Sequence, residues 1–117
     1  DITGRTMKMI DFTESFFNNN YYAIDGYDRE KAKQKALQAV VPLIMDNELS
    51  PKQNICLRYK YINNKNQTEI AQILKLSQPT VSRHIAAAKD IMNNSLKYCY
   101  IALSTAIDEY ERLGDMH

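Results

Sequence analysis

Apolar side chains recur at spacings of three and four residues along most of the chain, and no segment alternates convincingly at a period of two. This pattern predicts an all-α protein. A first helix is expected to be capped by Asp28 and to run through Pro42, where we expect a kink or a break. Its apolar positions are Leu37, Val40, Val41 and Ile44.

A second helix is predicted to begin with Ser50 as its N-cap and Pro51 at its first position, because both residue types suit a helix start. Asn64 is expected to follow its end, since Asn tolerates a left-handed backbone conformation. The side chains expected in the core are Cys56, Leu57 and Tyr61.

Two further helical patterns follow each other so closely that they predict a helix-turn-helix. Asn66 is the candidate N-cap of the first, and Ser77 that of the second. Pro79 then falls in a first turn, where the amides lack an intrahelical partner in any case. The apolar face of the first of these two helices is expected to be Ile70, Ala71, Ile73 and Leu74.

The second helix of this pair has a polar outward face. On a helical wheel Val81, Ile85 and Ala88 face the core, Pro79, Arg83, Ala86 and Ala87 lie opposite, and Gln78, Thr80, Ser82 and Lys89 lie on the flanks. A face that is polar at its N-terminal end and small behind it suits insertion into the major groove of DNA. An ordinary amphipathic helix with a solvated face would show the same periodicity.

A last apolar seam, with spacings of three and four, predicts a C-terminal helix that ends near Gly114. Asn93, Asn94 and Ser95 would either interrupt the helix before it or only weaken it. The seam would pack on the chain's own N-terminal helices or form a homodimer, and we favour the homodimer. Its residues are Leu96, Cys99, Leu103, Ala106, Tyr110 and Leu113.

Three parts are therefore predicted: an aromatic, acidic segment (1–27, of which 1–6 resemble a cloning remnant), a helix-turn-helix domain (28–94) and the C-terminal helix (95–114). In the first part the aromatic side chains are expected to pack in the core rather than to stack on bases, because their surroundings are acidic. They are Phe12, Phe16, Phe17, Tyr21 and Tyr22.

Charge is distributed unevenly, although the net charge is only +1. Residues 51–97 hold eight Lys or Arg and two acidic residues, whereas both flanking segments are net acidic. A basic block supplies the salt-dependent part of nucleic-acid affinity, although a solvated surface would look the same.

Signals for other classes of protein are missing from the sequence. There is no Gly-rich phosphate loop and no cluster of metal ligands or catalytic residues, so no enzyme, metal or cofactor is predicted. His84 stands alone and is expected to be a boundary residue or a phosphate contact. Cys56 and Cys99 indicate no disulfide scaffold. Without a spanning apolar run or a signal peptide, a cytoplasmic protein with no membrane partner is expected.

The segment from Leu49 to Met92, LSPKQNICLRYKYINNKNQTEIAQILKLSQPTVSRHIAAAKDIM, resembles region 4 of bacterial sigma-70-type factors and the tetrahelical DNA-binding domain of LuxR-type regulators. The shared residues are Leu49 and Pro51, then Glu69, Ile70 and Ala71, then Ser77, Thr80 and Val81. The sequence SQPTVSRHI also resembles the recognition helix of ArsR-type winged domains. Since AAAKDIMNN then shows no strand pattern for a wing, the sigma-like form is favoured.

The chain departs from the sigma-like pattern at three places. Asn64 and Lys75 stand where the family usually has Gly, and a positive φ at Lys75 would cost on the order of 1 kcal/mol. Nothing in the first 50 residues resembles the promoter-melting region of a sigma factor, so the chain is not expected to initiate transcription alone. The resemblance implies binding to promoter-type or operator-type DNA, with RNA polymerase as a further partner.

A sequence-specific DNA-binding regulator from a bacterium, phage or mobile element is therefore the first hypothesis, with double-stranded DNA as its partner. The predicted base contacts are Gln78, Thr80, Ser82 and Arg83, and the predicted phosphate contacts are Lys65, Gln67, Thr68 and Lys89. Two alternatives remain: an adaptor that uses the fold to bind RNA polymerase, another protein or RNA, and a phage DNA-packaging recognition subunit.

Overall fold

The computed structural model describes Thr13 and residues 29–115. Among these residues it has four helices and no strand: α1 (Arg29–Glu48), α2 (Pro51–Tyr61), α3 (Gln67–Leu74) and α4 (Gln78–Asp115). The predicted all-α class, with a helix-turn-helix and no wing, is confirmed. Thr13 is helical, but the rest of the aromatic segment and the expected cap Asp28 lie outside the described residues.

Helix α1 passes Pro42 without a break. A proline removes one backbone donor and leaves the carbonyl four residues earlier unbonded. Gln38 and Pro42 both lie on the exposed side of α1, where water can bond that carbonyl. The predicted core positions Leu37, Val41 and Ile44 are buried.

Helix α2 begins as predicted, with Ser50 as N-cap and Pro51 as its first residue. The side chain of Ser50 accepts from the amide of Gln53 at 3.2 Å, and the Gln53 side chain accepts from the amide of Ser50 at 2.9 Å. This reciprocal capping box satisfies two amides that would otherwise lack a partner.

Two apolar clusters make up the core, and α2 lies between them. We call them the α1 cluster (Leu37, Val41, Ile44, Met45, Leu49, Leu57, Ala88, Met92 and Leu96) and the α3 cluster (Cys56, Ile70, Ala71, Val81 and Ile85). Cys56 and Leu57 are both fully buried, yet they belong to different clusters. Adjacent positions on a helix point about 100° apart, so one turn of α2 contributes a buried side chain to each cluster.

Not every predicted core position is fully buried. Ile73 is 46% exposed, and Tyr61 and Val40 are half-buried at the edge of the α1 cluster. For Ile73 the reason is the narrow contact face of the eight-residue α3, which Ile70, Ala71 and the half-buried Leu74 already occupy.

Helix α4 contains 38 residues and runs without interruption through Asn93, Asn94 and Ser95. The predicted C-terminal helix is therefore the second half of α4. Asn93 bonds outside the helix rather than breaking it. Its Oδ1 accepts from the backbone amide and from the hydroxyl of Thr13, each at 2.8 Å.

The structure corrects half of the predicted homodimer seam. Leu96 is buried in the α1 cluster, and Cys99 and Leu103 pack against it, because α1 lies along this part of α4. Leu96 is therefore not available to a second copy of the chain, and Cys99 and Leu103 are partly covered by the chain's own core. Ala106, Tyr110 and Leu113 remain exposed, beyond the reach of that cluster.

Polar contacts fasten the start of α1 to the second half of α4. Arg29 pairs with Asp108 and, at 3.5 Å, with Glu111. The hydroxyl of Tyr100 donates to Glu30 at 3.1 Å, and the buried Lys33 bonds Glu30 at 2.7 Å. Lys33 also lies 4.9 Å from the centre of the Tyr100 ring.

The hydrogen bond from Lys33 to Glu30 is the main cause that raises the pKa of Lys33, against the lowering effect of burial. A raised pKa favours the charged form in the folded state. The resulting stabilisation is present below the unfolded pKa and is lost as the pH rises through the folded one.

Lys75 ends α3 in a left-handed conformation, with φ 58° and ψ 46°, and Asn64 is left-handed after α2, with φ 57°. Asn64 was expected to tolerate this conformation, whereas at Lys75 either a strained positive φ or a different turn was expected. A side chain with a Cβ is strained there, by roughly 1–2 kcal/mol at a residue such as Lys.

We expect Lys75→Gly to raise the free energy of unfolding by about 1 kcal/mol, because Gly removes the Cβ strain but loses more chain entropy on folding. Chemical denaturation would measure the change. Lys75→Ala is the matched control, since it removes the charge and keeps the Cβ. An equal gain in both variants would contradict the strain explanation.

Candidate nucleic-acid interface

The start of α4 projects a polar face into solvent. Ser77 caps the helix: its hydroxyl accepts from the amide of Thr80 at 3.3 Å, and its carbonyl accepts from the amide of Val81 at 3.1 Å. Val81 is fully buried in the α3 cluster. Because this apolar side is anchored, the opposite side faces outward, and Gln78, Pro79, Ser82, Arg83 and Ala86 are exposed.

Three side chains at this end of α4 are joined by hydrogen bonds. The hydroxyls of Ser77 and Thr80 lie 2.8 Å apart, and the guanidinium of Arg83 donates to Thr80 Oγ1 at 3.2 Å. Thr80 is half-buried, whereas Arg83 is exposed. The chain of bonds therefore runs from the N-cap to the exposed guanidinium.

The turn between α3 and α4 fixes how the two helices meet. The left-handed Lys75 reverses the chain, and the amide of Leu76 donates to the carbonyl of Ala71 at 3.0 Å. Leu76 then packs against the α3 cluster, one residue before the cap of α4. A backbone bond and an apolar contact thus set the position of Ser77.

The N-terminal end of α3 carries three of the predicted phosphate contacts. Asn66 caps it in a second capping box: Asn66 Oδ1 accepts from the amide of Glu69 at 2.8 Å, and Glu69 Oε1 accepts from the amide of Asn66 at 2.9 Å. The carboxylate of Glu69 is thereby engaged locally. Around the cap lie Lys65, Gln67 and Thr68, of which Thr68 is exposed and the other two are half-buried.

A groove between α2, α3 and α4 brings several candidates together. Two predicted phosphate contacts, Gln67 and Lys89, and one predicted base contact, Ser82, line it. Lys65 and Thr68 are not among its lining residues, although Thr68 directly follows Gln67 and Lys65 precedes it by two positions. The full lining is Lys60, Gln67, Ser82, Ile85, Ala86, Lys89, Asp90 and Asn93.

Lys60 is a groove residue that the sequence did not reveal. It lies in the last turn of α2, a helix whose pattern indicated only packing. The signal that could have pointed to it is its place in the basic block 51–97. Its ammonium group lies 5.2 Å from the centre of the Tyr61 ring.

The described part of the chain holds neither a cluster of metal ligands nor a disulfide. Residues 29–115 contain no group of three potential metal ligands. Both cysteines are free, and burial raises the pKa of the Cys56 thiol despite the opposing charge of Lys52. A buried thiol with a raised pKa behaves as a small apolar side chain. No helix in these residues is long and apolar enough to cross a membrane.

Comparison with known families addresses the same segment. Residues 47–92 match the family model of sigma-70, region 4. The sigma-70 region 4 match runs from the end of α1 to Met92 in α4 and covers less than half of the chain. Domains of this family have a helix-turn-helix, and they bind DNA and RNA polymerase. No similar curated protein and no similar solved structure was found.

The sigma-70 region 4 match confirms the resemblance that the sequence suggested between Leu49 and Met92. It assigns a DNA-binding type of domain to this segment. The individual base and phosphate contacts lie inside the matched range and stay predictions.

Proposed function

We propose that the chain is a sequence-specific DNA-binding regulator of transcription that inserts the N-terminal turns of α4 into the major groove. The observation that carries the proposal is the exposed polar face at the start of α4, in a segment that matches sigma-70 region 4. No enzymatic activity is part of the proposal, and the expected location is the cytoplasm of a bacterium, or of its host if the protein is phage-encoded.

Base reading falls to the exposed side chains of the first two turns. Arg83 can donate two hydrogen bonds to guanine, and Gln78 can pair with adenine in the same way. Ser82 lies at the groove and can reach either a base edge or the adjoining backbone. Behind them Ala86 is exposed and Ala87 half-buried, so small side chains leave room for close approach of the duplex.

Phosphate binding falls to the groove and to the N-terminal end of α3. Lys89 and Gln67 line the groove together with Lys60, and Lys65 and Thr68 flank Gln67. Amides at a helix N-terminus attract anions, which adds to the charge of the lysines. Contacts of this kind position the protein and carry little sequence information.

A homodimer would present two copies of the N-terminal end of α4 to DNA. The exposed Ala106, Tyr110 and Leu113, spaced four and three residues apart, are the part of the predicted seam that remains available. Paired recognition helices read half-sites about one helical turn of DNA apart.

RNA polymerase is the second candidate partner, because domains of the sigma-70 region 4 family bind it as well as DNA. In that case the protein would act as an adaptor, and its selection of DNA sequence would be weak or absent.

We expect Arg83→Ala to lose discrimination at one base position, by about 1–3 kcal/mol, because the bidentate contact to that base is removed. Selection from a random duplex library at near-physiological salt, with both proteins in parallel, would measure it. Gln78→Ala is the control and should lose discrimination at a different base position of the selected duplex. Unchanged selection by the Arg83 variant would contradict this role.

Lys65→Ala should weaken binding to all duplexes by a similar factor and lower the slope of log K against log salt by about 1, because one phosphate contact is lost. Titrations of the selected and a scrambled duplex at several salt concentrations would show both effects. An affinity and a salt slope that are unchanged in the Lys65 variant would contradict this phosphate contact.

The variant with Tyr110→Glu and Leu113→Glu should be monomeric at concentrations where the unchanged chain is a dimer, because four carboxylates would meet in one apolar seam. Analytical ultracentrifugation would measure the masses. Thr105→Glu, also exposed on α4 but outside the seam, is the matched control. A monomeric unchanged chain would rule out this dimer.

A further inference from the structure

We propose that Thr80 does not read a base but positions Arg83, as the middle member of a hydrogen-bonded chain that starts at the N-cap Ser77. The inference rests on the proposed function for its consequence, which is sequence selection. The arrangement itself is a property of the free protein and can be tested without DNA.

The first observation is where the Thr80 hydroxyl is engaged. Its oxygen lies 2.8 Å from the hydroxyl of Ser77 and accepts from the Arg83 guanidinium at 3.2 Å. A hydroxyl has one donor and two acceptor positions, so two of the three are used inside the protein. Thr80 is also half-buried, whereas Gln78, Ser82 and Arg83 are exposed. It is therefore the least accessible of the four predicted base contacts.

The second observation is the direction that this bond gives to Arg83. Long side chains on a helix lean toward its N-terminus and cover the residue three or four positions earlier. Thr80 is three positions before Arg83, so its hydroxyl holds the guanidinium over the first turn of α4. That turn is the part that would enter the groove first. Within the described residues no carboxylate pairs with Arg83, which leaves its charge available to DNA.

The third observation is that Ser77 anchors Thr80 in two ways. Besides the contact between the two hydroxyls, Ser77 Oγ accepts from the backbone amide of Thr80. A helical Thr occupies two side-chain rotamers, and a fixed partner at the N-cap selects the one that presents its oxygen to Ser77 and Arg83. The same serine thus caps the helix and orients the residue that orients Arg83.

Holding a flexible arginine near its bound geometry lowers the entropy lost when it contacts a base. The benefit appears only for the base that Arg83 reads. A direct base contact by Thr80 would instead affect a second position. The two roles therefore predict different patterns of sequence selection.

The variant Thr80→Val keeps the branched shape and removes the hydroxyl, and Thr80→Ser keeps the hydroxyl. In the free protein, ¹⁵N relaxation of the Arg83 Nε should show a more mobile side chain in Thr80→Val and an ordered one in Thr80→Ser. Equal order of Arg83 in the unchanged chain and in Thr80→Val would overturn the inference, whatever the protein binds.

On DNA, Thr80→Val should reduce discrimination about three- to tenfold, the size expected for one hydrogen bond, at the same base position that Arg83→Ala blurs. Thr80→Ser should restore it. The variant with both Thr80→Val and Arg83→Ala should match Arg83→Ala alone, because Thr80 acts through Arg83. Blurring at a different position, or additive losses in the double variant, would identify Thr80 as a base reader and overturn the proposal.

Failure of the function is distinguishable from failure of this inference. If the unchanged chain selects no sequence while Arg83 loses order in Thr80→Val, the proposed function fails and the positioning contact stands. If the chain selects a sequence and Thr80→Val leaves both the order of Arg83 and the selection unchanged, the function stands and the inference fails.

Discussion

The described structure depends on one buried stripe along α4. Val81, Ile85, Ala88, Met92 and Leu96 are each at most 4% exposed and follow one another at spacings of three and four residues. The first two belong to the α3 cluster and the last three to the α1 cluster, so one helix takes part in both halves of the core. Without this stripe neither cluster would be buried, because α3 packs on the first part of the stripe and α1 packs on the second part.

The same stripe determines what the surface can do. Since the buried side of α4 is fixed by packing, the opposite side at its N-terminal end is held outward. The fully buried Ala88 and Leu57 belong to the same cluster, so α4 and α2 share one part of the core. Lys60, at the end of α2, thereby reaches a groove that Lys89 also lines. Packing of apolar residues thus gathers cations that are distant in sequence.

Local signals in the sequence predicted the helix starts well. Ser50, Asn66 and Ser77 all cap helices, and Asn64 and Lys75 take the left-handed conformations that the family pattern suggested. These features depend on a few neighbouring residues. For that reason a single sequence is enough to reveal them.

Features that depend on distant residues were harder to predict. An apolar seam near the C-terminus fits a partner helix equally well whether that helix is α1 or a second copy, and only the fold shows that Leu96, Cys99 and Leu103 face α1. Asn93 was expected to interrupt or only weaken the helix, and its bond to Thr13, 80 positions away, has no local signature in the sequence. Lys60 has no local signature of a groove residue. Thr80 and Arg83 were identified from the helical wheel, but a wheel does not show that they bond each other.

The uninterrupted course of α4 links the orientation of its two ends. Arg83 and Tyr110 are 27 positions apart on one rigid element, which is about seven and a half helical turns. Their angular relation is therefore a matter of residue number rather than of a flexible joint. One inserted residue between them would rotate one end against the other by about 100°, whereas seven would extend the helix by about 10 Å and nearly preserve the angle. The length of this helix thus fixes the relative orientation of its two ends. A contact that holds the C-terminal end therefore also sets the direction in which the side chains at the N-terminal end point.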